Sequence, residues 1–246
     1  MKKQLKLSML SALAVLLFAT SCDLKSTFCE EANGPQVEQS FDLDAITDIE
    51  LNINASVHIT QGATQSVEIH GKEDAIENLK MDIVNGLWMI EFEDNKCMRN
   101  HELVIYITLV DVNSVDVSGS GDIHMDEDTI QLDHALEYRI SGSGRINALL
   151  DVTEVDTRIS GSGELNLAGF TNANNVRISG SGDINAFDLV STNADINISG
   201  SGNAEVFVDG GVLDVKISGS GKVFYKGIPS SINVDISGSG DLVDAN

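Results

Sequence analysis

The chain of 246 residues carries 38 acidic side chains against 15 basic ones, for a formal net charge of −23 at neutral pH. This charge disfavours nucleic acid and anionic lipid as partners, because both are bound through basic surfaces. Hydrophobic residues make up 42% of the chain and there are only two prolines, which excludes wholesale disorder and allows a folded core.

The first 21 residues have the features of a bacterial lipoprotein signal peptide. Lys2, Lys3 and Lys6 precede an apolar segment over residues 7–20 that is too short for a comfortable membrane span. The segment runs into Ala19-Thr20-Ser21-Cys22, which resembles a lipobox. We therefore predict that residues 1–21 are removed and that Cys22 carries acyl chains such as palmitate. An ordinary signal peptide with a coincidental cysteine is the alternative.

Residues 22–36 form a polar spacer that ends in Gly34-Pro35. We predict a tether over 22–36 and an ordered domain over 37–246. Cys29 and Cys97 remain for an oxidising compartment, where they can form a disulfide. The position of Cys29 in the tether favours a free thiol instead, and the two possibilities stay open because sequence does not give the Cα–Cα separation.

Residues 37–117 are strand-rich but irregular. Apolar residues alternate through 49–53 and 57–59, residues 73–79 fit one helical turn or a loop, and residues 102–108 read as a strand. Asn85-Gly86 between two apolar runs predicts a hairpin. We interpret 37–117 as degenerate early coils of the solenoid described next, with a separate small β unit as the alternative.

Residues 118–246 contain the tetrapeptide Ser-Gly-Ser-Gly seven times, at intervals of 23, 19, 19, 20, 19 and 19 residues. Repetition at a fixed period near twenty indicates a solenoid. The repeated glycines, which we predict to be structural, are Gly119, Gly121, Gly142, Gly144, Gly161, Gly163, Gly180, Gly182, Gly200, Gly202, Gly219, Gly221, Gly238 and Gly240.

The repeat alternates apolar and polar residues as a strand does. In residues 176–186 the apolar side chains and both glycines share one parity, while Arg177, Ser179 and Asp183 share the other. We predict that the apolar row and the glycines face inward, where the wall bends or opposite walls approach closely, and that the serines face outward. Coils of 19–20 residues stacked at about 4.8 Å form a narrow parallel β-helix, and the 23-residue first interval has room for a bulge around Met125 to Asp133.

The polar residues that recur in the repeats fit structural roles better than metal binding or catalysis. A calcium ladder after the tetrapeptides is interrupted by Arg145 and Lys222, so we expect a solvated turn at these positions: Asp122, Arg145, Glu164, Asp183, Asn203, Lys222 and Asp241. Asn147, Asn166 and Asn185 fall at equivalent places and predict a short hydrogen-bonded ladder. The five histidines lack metal-ligand spacing, and Cys97 with His101 supplies only two ligands. We expect no catalytic residue, metal or cofactor.

The run Gly121-Asp122-Ile123, repeated at 182–184 and echoed as Gly144-Arg145-Ile146, resembles the head GIN domain family. The resemblance covers about residues 37 to 246. It implies a right-handed, single-stranded parallel β-helix in a lipoprotein or secreted protein, of a kind frequent in Bacteroidetes and labelled an adhesin. The family offers no catalytic residues to carry over.

We therefore expect a non-catalytic, adhesin-like binding module, lipid-anchored at the outer membrane or cell surface rather than the inner membrane, with a glycan or protein ligand and no nucleic acid. The alternatives are a passive structural or envelope-stress protein without a ligand, and a carbohydrate-active enzyme, since β-helices can present paired acids. At the final coil we expect Asp235, Asp241 and Asp244 to keep the protein monomeric by repelling a second copy, with end-to-end dimerisation as the alternative.

Overall fold

The computed structural model describes residues 29–94 and 96–246. The predicted signal peptide, Cys22 and the first part of the tether lie outside the described residues. The described chain is nearly all strand and folds as a β-solenoid with coils of about 19 residues. Within these ranges no helix has the length and apolar character needed to cross a membrane.

The elements before the repeats are short. In chain order the strands are β1 (Glu30–Glu31), β2 (Gln36–Phe41), β3 (Asp48–Leu51), β4 (Ser56–Gln61), β5 (Ser66–Lys72), β6 (Ile83–Val84), β7 (Leu87–Ile90), β8 (Met98–Arg99), β9 (Val104–Leu109) and β10 (Ser114–Val117). The helix α1 (Glu73–Glu77) follows β5, so of the two alternatives for residues 73–79 the structure has the helical turn.

The repeats form longer strands that bend around the solenoid. They are β11 (Asp122–Ile140), β12 (Arg145–Ile159), β13 (Glu164–Ile178), β14 (Asp183–Ile198), β15 (Asn203–Val208), β16 (Val212–Gly219), β17 (Lys222–Lys226), β18 (Ser231–Gly238) and β19 (Asp241–Asp244). All of these strands pair in parallel with the equivalent strands of neighbouring coils.

Successive coils stack in register, so each inward residue lies above its equivalent in the coil before. Ile123 pairs with Ile146, which pairs with Leu165, which pairs with Ile184, and all four are fully buried. The predicted alternation is therefore confirmed, and the aliphatic rows form one continuous core. The predicted bulge in the long first interval is confirmed by register shifts between Met125 and Ile130 and between Leu132 and Ala135.

The repeated glycines are required by the coil before them, not by an opposite wall. A Cβ placed on Gly182 would lie 2.5 Å from the carbonyl oxygen of Gly163, and one on Gly180 would lie 2.2 Å from that of Gly161. Real Cβ contacts are essentially never shorter than 3.0 Å. The glycines thus lie on the inward row where the wall bends, as predicted, and the close approach is to the preceding coil instead of to an opposite wall.

The first coils do not follow one another in chain order. Strands β3 and β4 pair in parallel with β10 and β11 on one side and with β7 and β9 on the other. The outermost coil is therefore formed by later residues than its neighbour. Beyond it, β5 runs antiparallel to both β9 and β2. Strands β2 to β7, β9 and β10 belong to the same 17-stranded sheet as the repeats, so these residues are coils of the same solenoid and do not form a separate β unit, but the coils do not follow chain order.

The reversal is made by the predicted hairpin. Strands β6 and β7 pair antiparallel around Asn85 and Gly86, whose φ angles are 53° and 85°. These left-handed conformations are the ones that an Asn-Gly turn favours. The hairpin turns the chain so that β7 can add to the outer side of β3.

The predicted tether extends too far along the chain. Cys29 and Cys97 form a disulfide with a Cα–Cα separation of 4.6 Å, and β1 pairs with β8 beside it. Strand β2 then begins at Gln36. The chain is therefore ordered from at least Cys29, and the free-thiol alternative for this residue is wrong.

Candidate ligand-binding groove

A groove of about 630 Å³ follows the solenoid axis where the strands reach the Ser-Gly-Ser-Gly corners. Two rows of outward side chains line it, one on each side of a row of isoleucines. The first row is here called the cation column because four of its six members are Arg or Lys. It consists of Arg139, Arg158, Arg177, Asn197, Lys216 and Asp235. The second, here called the serine column, consists of Ser141, Ser160, Ser179, Ser199, Ser218 and Ser237.

Strand register places the members of the cation column directly above one another. Arg139 pairs with Arg158 and Arg158 with Arg177, and the column continues from there through Asn197 to Lys216. Each step is one coil, or about 4.8 Å. The isoleucines between the two columns are buried from Ile140 to Ile217, whereas Ile236 on the last coil is 37% exposed. The buried isoleucines fix both rows on a rigid floor.

The backbone of this floor is already hydrogen-bonded from coil to coil. The amide of Ser160 donates to Ile140, that of Ser179 to Ile159 and that of Ser199 to Ile178, at 2.8–2.9 Å. A ligand in the groove therefore meets side chains, and it cannot be held as an added strand.

The cations of the groove differ in whether a nearby carboxylate pairs with them. Arg139 donates to Asp116 at 3.0 Å and also contacts Glu137, which in turn contacts Arg158. Burial raises the pKa of the Asp116 carboxyl, and the ion pair with Arg139 opposes that rise. The first two arginines are thus neutralised by their own neighbours.

Arg177 and Lys216 differ from them. Both are exposed, and among residues 29–94 and 96–246 no carboxylate lies within 4.0 Å of either cation. The residue before Arg177 on the same outward row is Asn175, a neutral amide. Asn175 donates hydrogen bonds to Glu154 and Asp156, two carboxylates of the preceding coil. The free cationic charge of the groove is therefore concentrated at Arg177 and Lys216.

A second outward column confirms the predicted asparagine ladder. Asn185 donates to Asn166 at 2.7 Å, and Asn166 donates to Asn147 at 2.8 Å. The column extends further than the asparagines, because His124 lies next to Asn147 and stacks on His58 with ring centroids 4.8 Å apart. These contacts run along the axis and bind neighbouring coils together.

The residues after the tetrapeptides also stack in register and pair with one another. Arg145 donates to Glu164 at 3.1 Å, and Asp183 accepts from the backbone and side-chain amides of Asn203 at 2.9 Å. The turn predicted at these seven positions is wrong, because each of them is the first residue of a strand and pairs with the neighbouring coil.

Two arrangements were missed by sequence reasoning. Glu38, Glu68 and His70 offer three ligand atoms within 4.8 Å of one another, because antiparallel pairing sets Glu38 opposite His70. No local spacing signals this cluster, and His70 already hydrogen-bonds Glu68. The groove did have a signal, since Arg-Ile precedes the tetrapeptide three times and Lys-Ile once.

The family model described as "Putative auto-transporter adhesin, head GIN domain" matches residues 45–229, about three quarters of the chain. The chain belongs to the head GIN domain family. An adhesin-like family indicates a protein of the cell surface or envelope. Among proteins with curated descriptions, none matches this head GIN chain.

Three solved structures share the head GIN fold. A "putative adhesin" from Bacteroides fragilis NCTC 9343 has a TM-score of 0.81 at 19% identity, over 87% of this chain and 98% of its own. A "Putative lipid binding protein" from Parabacteroides distasonis ATCC 8503 has a TM-score of 0.73 at 22% identity, over 88% and 100%. A "putative adhesin" from Parabacteroides merdae ATCC 43184 has a TM-score of 0.65 at 21% identity, over 87% and 99%. At these identities the likeness shows the fold.

Proposed function

We propose that the protein is a non-catalytic, adhesin-like binding module that is anchored in the cell envelope and binds its ligand in the groove. The observation that carries this proposal is the groove itself. Its volume of about 630 Å³ falls in the range of ligand-binding clefts, about 300–1,000 Å³. The two side-chain columns repeat at each coil, so the surface suits an elongated ligand that makes similar contacts along its length.

The solenoid holds this surface in one conformation. The isoleucine row is buried from Ile140 to Ile217, and the backbone of the floor is paired from coil to coil. Binding to a rigid, pre-organised surface avoids much of the ordering cost that a flexible site incurs. A passive structural protein has no need for such a lined groove, and this favours the binding role.

The groove also favours binding over glycoside hydrolysis. Hydrolysis of this kind uses a pair of carboxyl groups that flank the scissile bond. Asp235 is the one carboxylate among the groove-lining residues of the described chain. The adhesin descriptions of the family and of two neighbours point the same way.

Binding is tested with the full chain, purified in detergent, on an array of glycans and extracellular matrix proteins. We expect a restricted set of elongated ligands to bind. A blank array would refute the adhesin-like function and favour the passive structural role.

The anchor is tested by labelling with radioactive palmitate in the native host. We expect the wild type to be labelled and Cys22→Ser to lose the label, because the acyl chains are proposed to sit on this sulfur. Cys29→Ser is the matched control and should keep the label. Equal labelling of wild type and Cys22→Ser would contradict lipid anchoring at this residue.

A further inference from the structure

We propose that the groove binds an extended anionic glycan whose carboxylates recur on every second sugar, with two successive carboxylates at Arg177 and Lys216. This inference rests on the proposed binding function and names the ligand class for it.

The groove differs in charge from the rest of the surface. The chain as a whole is strongly acidic, yet four cationic residues and one carboxylate line the groove. Two of the four cations, Arg177 and Lys216, have no carboxylate partner among the described residues. An exposed guanidinium that lacks a partner is well suited to a carboxylate, which it can bind through two parallel hydrogen bonds.

The spacing of the two free cations matches the length of two sugar units. Lys216 lies two coils from Arg177, with Asn197 between them in the column. Two coils span about 9.6 Å, since neighbouring strands are about 4.8 Å apart. Two sugar units of an extended glycan have a similar length. An alternating glycan therefore places one carboxylate at each cation and a neutral sugar beside the uncharged Asn197.

The opposite side of the groove suits sugar hydroxyls. The serine column offers one exposed hydroxyl per coil, which can donate to or accept from sugar hydroxyls. An acidic peptide is disfavoured because the backbone of the floor is already paired. A nucleic acid strand is disfavoured because the lining has no aromatic side chain on which a base can stack.

Two carboxylates lie near Lys216. Asp235 is its register partner in the next coil, and Asp214, two residues earlier on the same outward row, accepts a hydrogen bond from Asn233. At physiological ionic strength the Debye length is about 8 Å, so the more distant carboxylates are largely screened. Close to Arg177 the outward row carries the amide of Asn175 instead of a carboxylate. Asp195 accepts a hydrogen bond from Asn197 at 2.5 Å, which occupies the nearest acid of the next coil.

The experiment is titration calorimetry of the detergent-purified full chain with hyaluronan oligosaccharides, which alternate uronate and neutral sugars. Chitin oligosaccharides, which lack carboxylates, are the neutral comparison. We expect hyaluronan to bind and chitin not to bind. Arg177→Gln and Lys216→Gln should each weaken binding about tenfold, since each removes a hydrogen bond to a charged group.

Lys222→Gln is the matched control, because Lys222 is exposed, lies outside the groove and removes the same charge. It should leave hyaluronan affinity unchanged. If Lys222→Gln and Lys216→Gln lose hyaluronan affinity equally, the groove is not the binding site and the loss reflects only the reduced positive charge of the protein. Preferred binding of polyglutamate or of an oligonucleotide would refute the proposal that the ligand is a glycan.

This result is separable from the proposed function. If array ligands bind the wild type and both groove variants equally well, then the ligand class and the site proposed here are wrong while the binding function stands. If no array ligand binds, the function itself fails.

Discussion

Replacement of Gly182 by alanine tests the packing of the corners directly. The new methyl group would lie 2.5 Å from the carbonyl oxygen of Gly163 and 2.6 Å from Cγ2 of Ile159. Ordinary contact begins near 3.4 Å. The coils must therefore separate locally by about 0.9 Å to admit the methyl group.

That separation acts on hydrogen bonds as well as on packing. The amides of Asp183 and Ser181 donate to Gly163 and Gly161 at 3.1 and 3.0 Å. An opening of this size takes them beyond hydrogen-bonding distance, at about 1 kcal/mol each. Together with the usual cost of overpacking, we expect Gly182→Ala to lower the free energy of unfolding by about 2–4 kcal/mol.

The neighbouring Ser181→Ala is the control, because Ser181 is exposed. It should lower the free energy of unfolding by less than about 0.5 kcal/mol. Urea denaturation gives both values, as a change in midpoint with an unchanged slope. If Ser181→Ala destabilises the protein as much as Gly182→Ala does, the assignment of the glycines to the inward row is refuted.

Four further predictions concern other parts of the chain. Neither polar atom of the buried Asn174 side chain hydrogen-bonds another described residue, so Asn174→Leu should raise the melting midpoint by removing a desolvated amide worth about 1–3 kcal/mol. The same change at Asn166, which bonds both neighbours in its ladder, should lower the free energy of unfolding by about 2 kcal/mol, and matched urea melts with the opposite order would contradict both assignments. Burial lowers the pKa of His101 from its ordinary value of 6.5, so the stability due to its neutral form is present above that value and is lost as pH falls through the folded-state pKa. Melts at a series of pH values from 7 downward should therefore show a steeper loss in the wild type than in His101→Gln, and parallel curves would exclude this contribution. Removal of the disulfide by Cys97→Ser should cost about 2–4 kcal/mol, and reductant should then destabilise the wild type but not the variant.

The repeats were predictable because every coil obeys one local rule. Parity alone placed Val176, Ile178 and Ile184 inward, and the structure buries all three. The period also sets the register between coils. The sequence therefore predicts the asparagine ladder, in which Asn166 donates to Asn147 one coil away.

The first coils were not predictable in the same way. Nothing local to β3 and β7 says that the later strand adds to the outer side of the earlier one, since that order depends on pairing between distant segments. The antiparallel pairing that joins Glu38 to His70 is equally non-local. The sequence does not decide the disulfide for the same reason, because the bond depends on where Cys29 lies in space.

The groove is only partly predictable from the sequence. Its columns follow from the repeat, and the basic residues two positions before Ser160 and Ser179 are visible in the sequence. Which cations are free is not visible, because Arg158 is neutralised by Glu137 from another coil while Arg177 has no such neighbour among the described residues.

Adhesion of native cells to the immobilised ligand that the purified protein selects tests most directly whether this protein binds to surfaces from the cell envelope. We expect deletion of the gene to abolish adhesion, the wild-type chain to restore it, and Cys22→Ser not to restore it because the module is no longer held at the envelope. Equal adhesion of the deletion strain and the wild type would contradict the account.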